Sequence, residues 1–224
     1  MSIQSIINSA QQIEMDRRRM VGQTMSRSQR IKTSERSTAQ PWKFKVTPPA
    51  QLPWSTGRAI AETINTGDRV TEYEISLNGN AGMNYITAYQ GNLRQTQIDD
   101  LTVNSTGTST LTLTNLPNIG ASAQVGLIST TTVLFAVGDI IQPENSRYPY
   151  AVTETVLRGA STTTNVTLNR PLITSEGISL TSNGVKVGNS CTWRVVVVGL
   201  PTYTLIYGQR MQYTGDFELI EKIV

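Results

Sequence analysis

The chain contains no histidine and a single cysteine, Cys191. The first absence excludes a Ser-His-Asp triad, a Cys-His pair and any imidazole metal ligand. The second excludes an intrachain disulfide and a Cys-x-x-Cys metal or redox site, and it fits assembly in a reducing cytosol. Cys191 stands just before Trp193 and the apolar run 195–198. It therefore reads as a buried structural thiol, with no histidine to activate it as a nucleophile. Long apolar runs are missing too: nothing approaches the roughly 18 consecutive apolar residues of a membrane helix. The N-terminus lacks the basic-then-apolar order of a secretory signal. Gly57, Gly67, Gly79 and Gly82 never assemble into a phosphate-binding or dinucleotide-binding loop. The expectation is a protein without catalytic residues, metal or organic cofactor, and without a membrane partner.

What is abundant is hydroxyl. Among 224 residues there are 31 Thr and 19 Ser, against 16% charged residues. β-Branched residues pack well on a pleated surface, so this composition favours strands and turns. The length suffices for one large domain or two small ones.

The carboxylates do not converge. Asp99 and Asp100 are adjacent, and neighbours in sequence point to different sides of a helix or strand, so a helix-end or turn role is expected. Glu72 and Glu74 alternate with Tyr73 and Ile75, which makes them the wet side of a strand. Asp139 and Asp216 each follow a glycine before an apolar run and read as turn formers.

Charge is unevenly placed. Residues 1–45 hold nine Lys or Arg and three acids, a net +6, and the remainder holds ten bases and thirteen acids, a net −3. A basic arm on a mildly acidic body can touch nucleic acid, dock on an acidic face of a neighbouring subunit, or stay solvated. Nucleic acid ranks lowest, because no aromatics interleave with the basic residues before Trp42 to stack on bases. The interface candidates are Arg17, Arg18, Arg19, Arg27, Arg30, Arg36 and Trp42.

Along the chain, Ile3, Ile6, Ile7, Ala10 and Ile13 form a short helical stripe with Ser2 as cap. Residues 42–46 alternate apolar and charged, as a half-buried strand does. A short helix is expected over 56–65, capped by Ser55 or Thr56, and a strand over 71–77. Residues 84–93 fit helix or strand equally. The stretch 102–116 is Thr/Ser-rich with Leu111, Leu113 and Leu116 as its apolar side. From about 133 onward, short strands with close turns suggest a small closed barrel or sandwich. The apolar run 195–198 predicts a strand covered on both faces, and 217–224 a last strand paired within a sheet.

Several runs resemble a known family. Ser-Arg-Ser-Gln-Arg at 26–30 and Pro-Trp-Lys-Phe-Lys-Val-Thr-Pro-Pro at 41–49 lead into the short helix. Then come Phe-Ala-Val-Gly-Asp-Ile-Ile-Gln-Pro at 135–143, Arg-Tyr-Pro-Tyr at 147–150, Val-Gly-Asn-Ser-Cys-Thr-Trp at 187–193 and Tyr-Thr-Gly-Asp-Phe-Glu-Leu at 213–219. In this order they are similar to virion structural proteins of tailed bacteriophages, above all contractile-tailed phages of marine bacteria. The resemblance covers most of the chain, while 117–132 is particular to this sequence. It implies a tail or baseplate component, distal-tail-like, which forms a homo-oligomeric ring with copies of itself and neighbouring tail proteins and has no active site. It implies residence in the virion tail after assembly in the host cytoplasm.

The expected fold is mainly β: a β-sandwich or tube-like body with an inserted small β-barrel and an extended N-terminal arm. The arm with its short helix is placed at 1–45, the body at 46–100 plus 190–224, and the inserted barrel at 101–189. The alternatives to a tail subunit are a head, neck or capsid-decorating protein and a host-surface glycan-binding module.

Overall fold

The strand Lys43–Thr47 sets the frame of the body. Its alternation turns Phe44 and Val46 inward and Lys43 and Lys45 outward, the period of two that a pleated strand imposes. In the computed structural model, which describes residues 3–17, 21–25, 31–35, 40–174 and 177–223, it belongs to a five-stranded antiparallel sheet. The spatial order is Gln12–Asp16, Lys43–Thr47, Phe217–Glu221, Trp193–Gly199, Tyr73–Ile75. One face of the sheet presents Phe44, Val46, Phe217, Leu219, Trp193, Val195 and Ile75 to a single core. The last strand thus lies in the middle of the sheet, as the sequence implied.

The four-valine run is fully covered on one face only, Val196 on the other being half-buried. Trp193, Val195 and Val197 are buried, whereas Val198 is 46% exposed. Valine suits a strand on either side of the sheet, so the run carries no information about the second face.

The polar arm expected at 1–45 also needs correction, because its helix and first strand are built into the body. Ile3, Ile6 and Ile7 of helix Ile3–Ser9 are each 1% exposed and join the same core, worth about 1.5–3 kcal/mol per side chain. Gln4 bridges to the body as a strand would: its Nε2 donates to the Ser76 carbonyl and its Oε1 accepts from the Ser76 N–H, both at 2.8 Å. Buried Asn80 donates to the Ile7 and Ala10 carbonyls at the helix end, satisfying acceptors that a helix C-terminus leaves open. Gln12–Asp16 then forms the sheet edge, setting Glu14 opposite Lys45 and Asp16 opposite Lys43. Val21–Met25 and Ile31–Glu35 pair with each other in a separate two-stranded sheet. Ser2, the expected cap, lies outside the described residues.

A three-stranded sheet, Thr202–Ile206, Arg210–Thr214 and Gln51–Pro53 in that order, completes the body. Helix Trp54–Thr66 packs on it through Gly57, Ile60 and Ala61. The helix begins two residues earlier than expected and follows Pro53 with no side-chain cap. Gly57 leaves room for this contact: a Cβ there would come within 2.8 Å of Met211 Cε, so the methionine side chain would have to shift.

The insert has its own core, built from Leu101, Val103, Leu111, Leu113, Phe135, Ile141, Tyr150, Val166 and Val187 among others. Leu93 and Ile98 belong to it as well, so it starts before residue 101. Its described strands form no closed barrel. They form the sheet Thr164–Thr167, Thr110–Thr114, Thr102–Thr106, the sheet Tyr150–Ala151, Ile140–Pro143, Val185–Val187, and the pair Val133–Phe135 with Val156–Leu157. Strands of two to five residues are too short for the continuous staggered ladder that closes a barrel. Residues 84–93 resolve as neither helix nor strand throughout: a 3-10 turn, Asn84–Ile86, is followed by irregular chain.

Candidate functional site: the joint between body and insert

The terminal strand alternates Phe217, Leu219 and Glu221 inward, which sends a carboxylate into the core. A charge there needs a partner, and Arg170 of the insert supplies it. Its Nη1 donates to Glu221 Oε2 at 2.5 Å and its Nη2 to Oε1 at 2.7 Å, with side chains only 3% and 0% exposed. Two further donors are used nearby, Nη1 reaching the Gln40 carbonyl at 2.6 Å and Nη2 the Pro149 carbonyl at 2.9 Å, while Nε finds no partner among the described residues. The guanidinium also stands 5.2 Å from the centre of the Tyr150 ring. Glu221 Oε2 accepts in addition from the Trp42 N–H at 3.0 Å. The planar fork of arginine suits this two-point grip and fixes the angle at which insert meets body.

Trp42 closes the joint from the body side. It is 2% exposed, packs edge-on against Trp193 at 5.8 Å between ring centres, and donates from Nε1 to the Pro149 carbonyl at 3.2 Å. As an interface candidate it is therefore corrected: its surface is spent inside the chain. Arg17 places its guanidinium 5.2 Å from the Trp42 ring centre. Arg18, Arg19, Arg27, Arg30 and Arg36 lie outside the described residues.

A second polar contact supports the joint. Gln142, 1% exposed, accepts from the Thr192 N–H and donates to the Ser146 carbonyl, each at 2.9 Å. Cys191 sits beside it with Sγ 3.6 Å from the Ile140 carbonyl, and burial pushes its thiol pKa far up. Asp139 is a turn former, as its place after Gly138 suggested. Its carboxylate accepts from the N–H groups of Ala136 and Gln90, each at 2.8 Å, tying 89–93 to the insert. Burial nevertheless pushes its pKa upward. Asp99 ends helix Gln95–Asp99 and Asp100 caps it.

The outer face of the five-stranded sheet carries charge in rows. Glu14, Lys45 and Glu218 lie opposite one another across three strands, and Lys45 Nζ is 3.2 Å from Asp216 Oδ2. Glu14, Lys45 and Glu218 line a shallow groove of ≈ 390 Å³ together with Asp16 and Lys43. Among the described residues no group of three or more His, Cys, Asp or Glu is placed to hold a metal ion, and no helix is long and apolar enough to cross a membrane.

Sequence reasoning missed the Arg170–Glu221 pair. One signal was available: Glu221 continues the inward register of Phe217 and Leu219, so a buried carboxylate could have been read. Its partner could not, because nothing in the spacing points to Arg170. No protein-family model and no curated protein sequence matches this chain.

Proposed function

We propose that this chain is a structural subunit of a phage tail or baseplate that works through contacts with copies of itself and with neighbouring tail proteins. The observation that carries the reading is where the residues of the phage-like runs lie. Trp42, Phe44, Phe135, Ile141, Tyr148, Tyr150, Cys191, Trp193, Tyr213 and Phe217 are all buried, and most of them build the two cores and the joint. A resemblance held in packing residues is one of architecture, and architecture is what an assembly subunit contributes. The test is cryo-electron microscopy of intact particles of the phage that encodes the chain. Multiple copies in the tail or baseplate are expected. Density in the head or neck would move the assignment there, and absence of the chain from purified particles would refute the reading.

A second reading, a host-surface glycan-binding module, is favoured by one feature. Tyr207 is fully exposed at the tip of the hairpin joining Thr202–Ile206 to Arg210–Thr214. Next to this tip lies a groove of ≈ 520 Å³ lined by Trp54, Arg58, Leu205 and Arg210. Aromatic rings at a groove are what sugar rings stack on. Binding to host-surface glycans that is lost in Tyr207→Ala would favour it.

A further inference from the structure

Asparagine stands directly before glycine twice, at Asn78–Gly79 and at Asn183–Gly184. Glycine has no side chain to shield its backbone nitrogen or to narrow its backbone freedom, so that nitrogen can reach the Cγ of the preceding asparagine. The fold treats the two pairs differently. Asn183 is pinned: its Nδ2 donates to the Ser179 and Thr181 carbonyls at 3.0 and 2.9 Å, and its Oδ1 accepts from Asn145 Nδ2 at 2.8 Å. The backbone around it is used as well, the Asn183 carbonyl accepting from the Val103 N–H and the Gly184 carbonyl from the Glu144 N–H, each at 2.9 Å. Asn78 and Gly79 are instead the exposed central residues of a turn, closed by the Asn80 N–H on the Leu77 carbonyl at 3.3 Å. Neither the Asn78 carboxamide nor the Gly79 N–H has a hydrogen-bond partner among the described residues.

We propose that Asn78 is a site of spontaneous, age-dependent modification, and that its conversion loosens helix Ile3–Ser9. The Gly79 nitrogen attacks Asn78 Cγ, and the new C–N bond closes a cyclic imide. The side-chain nitrogen leaves as ammonia, carrying off the former Gly79 amide proton. Water then opens the imide at either carbonyl. One opening gives aspartate; the other gives isoaspartate, whose backbone runs through the side chain and is longer by a methylene. No oxidant, reductant or other catalyst is needed. The turn lies against the helix end, which ties the chemistry to the fold. Asn80 Nδ2 donates to the Ile7 and Ala10 carbonyls at 2.7 and 3.2 Å, and Gly79 lies so close to Asn8 that a Cβ there would strike the Asn8 carboxamide. A lengthened backbone between Leu77 and Asn80 displaces both contacts. This inference concerns the isolated chain and stands apart from the tail reading.

The test holds the full chain at mildly alkaline pH, which favours the nitrogen as nucleophile, and follows it by peptide mapping with fragmentation mass spectrometry. Asn78 should convert to aspartate and isoaspartate at least about tenfold faster than Asn183, whose reaction waits on local opening. In denaturant, where both pairs are free, the difference should vanish. Amide hydrogen exchange over residues 3–10 should speed up in the converted protein. It should not do so in equally aged Asn78→Gln, whose longer side chain closes a ring far more slowly. Native protein in which Asn183 converts as fast as Asn78, or in which Asn78 stays intact while the unfolded chain converts, overturns the site. Unchanged exchange over 3–10 after conversion overturns its link to the helix.

Discussion

Glu221 and Arg170 hold each other by two parallel hydrogen bonds, 2.5 and 2.7 Å long, in a place where neither side chain meets water. Removing one partner leaves the other charged and buried, at a typical cost of about 3–5 kcal/mol. Arg170→Ala and Glu221→Ala should each lose about that much in urea denaturation. The double replacement Arg170→Met, Glu221→Leu should recover part of the loss, since an apolar pair of similar volume needs no desolvation but leaves the Trp42 N–H without its acceptor. A double variant as damaged as the singles would show that the pair contributes net stability.

Trp193 is 0% exposed and meets Trp42 and Phe44 edge-on at 5.8 and 5.5 Å. Trp193→Ala should cost about 3–5 kcal/mol. The indole N–H finds no partner among the described residues, so Trp193→Phe keeps most of the packing and removes an unsatisfied donor. Its loss should be clearly smaller. Equal losses for both variants, by chemical denaturation, would mean that indole shape rather than aromatic packing is what the core requires.

Cys191 is 1% exposed and burial pushes its thiol pKa up, so the reactive thiolate is scarce and shielded. Under native conditions at mildly alkaline pH it should resist a disulfide reagent, and it should label stoichiometrically in denaturant. Rapid labelling of the native protein would contradict its place in the core.

Glu72 receives a hydrogen bond from Lys222 Nζ and lies 3.7 Å from Arg194 Nη1. These contacts, the hydrogen bond first, hold its carboxyl below the usual range. A depressed folded pKa contributes stability above the unfolded value near 4.3, lost as pH falls through the folded value. The side chain is 30% exposed, so Glu72→Gln should cost at most about 1 kcal/mol at neutral pH. The gap to the parent should close in acid and narrow with salt. A gap that persists in acid would assign the effect to packing instead.

Period-two alternation made the sheet legible: Lys43–Thr47 and Phe217–Glu221 show their inward faces directly in the sequence. Cys191 and the turn role of Asp139 were legible for similar local reasons. The arm was misread because its charges dominate any count, while three isoleucines decide where helix Ile3–Ser9 goes. The barrel was misread because short strands with close turns look alike whether or not their ladder closes. The joint was mostly illegible: Glu221 announces a need, but Gln40, Pro149 and Arg170 meet it through chain folding that no local period encodes.

The central sheet takes strands from both sides of the insert, and the bond from the Trp42 N–H to Glu221 spans 179 positions. On a ribosome, the insert with its own core can settle as soon as its last residues emerge, as compact units do. The body cannot. Phe44, Val46 and Trp193 wait with an open seam until Phe217–Glu221 arrives to fill the gap between their strands. Synthesis therefore passes through a stage in which Arg170 of the insert still lacks Glu221 and the unfinished sheet has bare edges, the kind of edge that pairs with foreign strands. Late ring closure at so long a separation is slow, and yield in the cell should depend on how quickly the last strand is delivered.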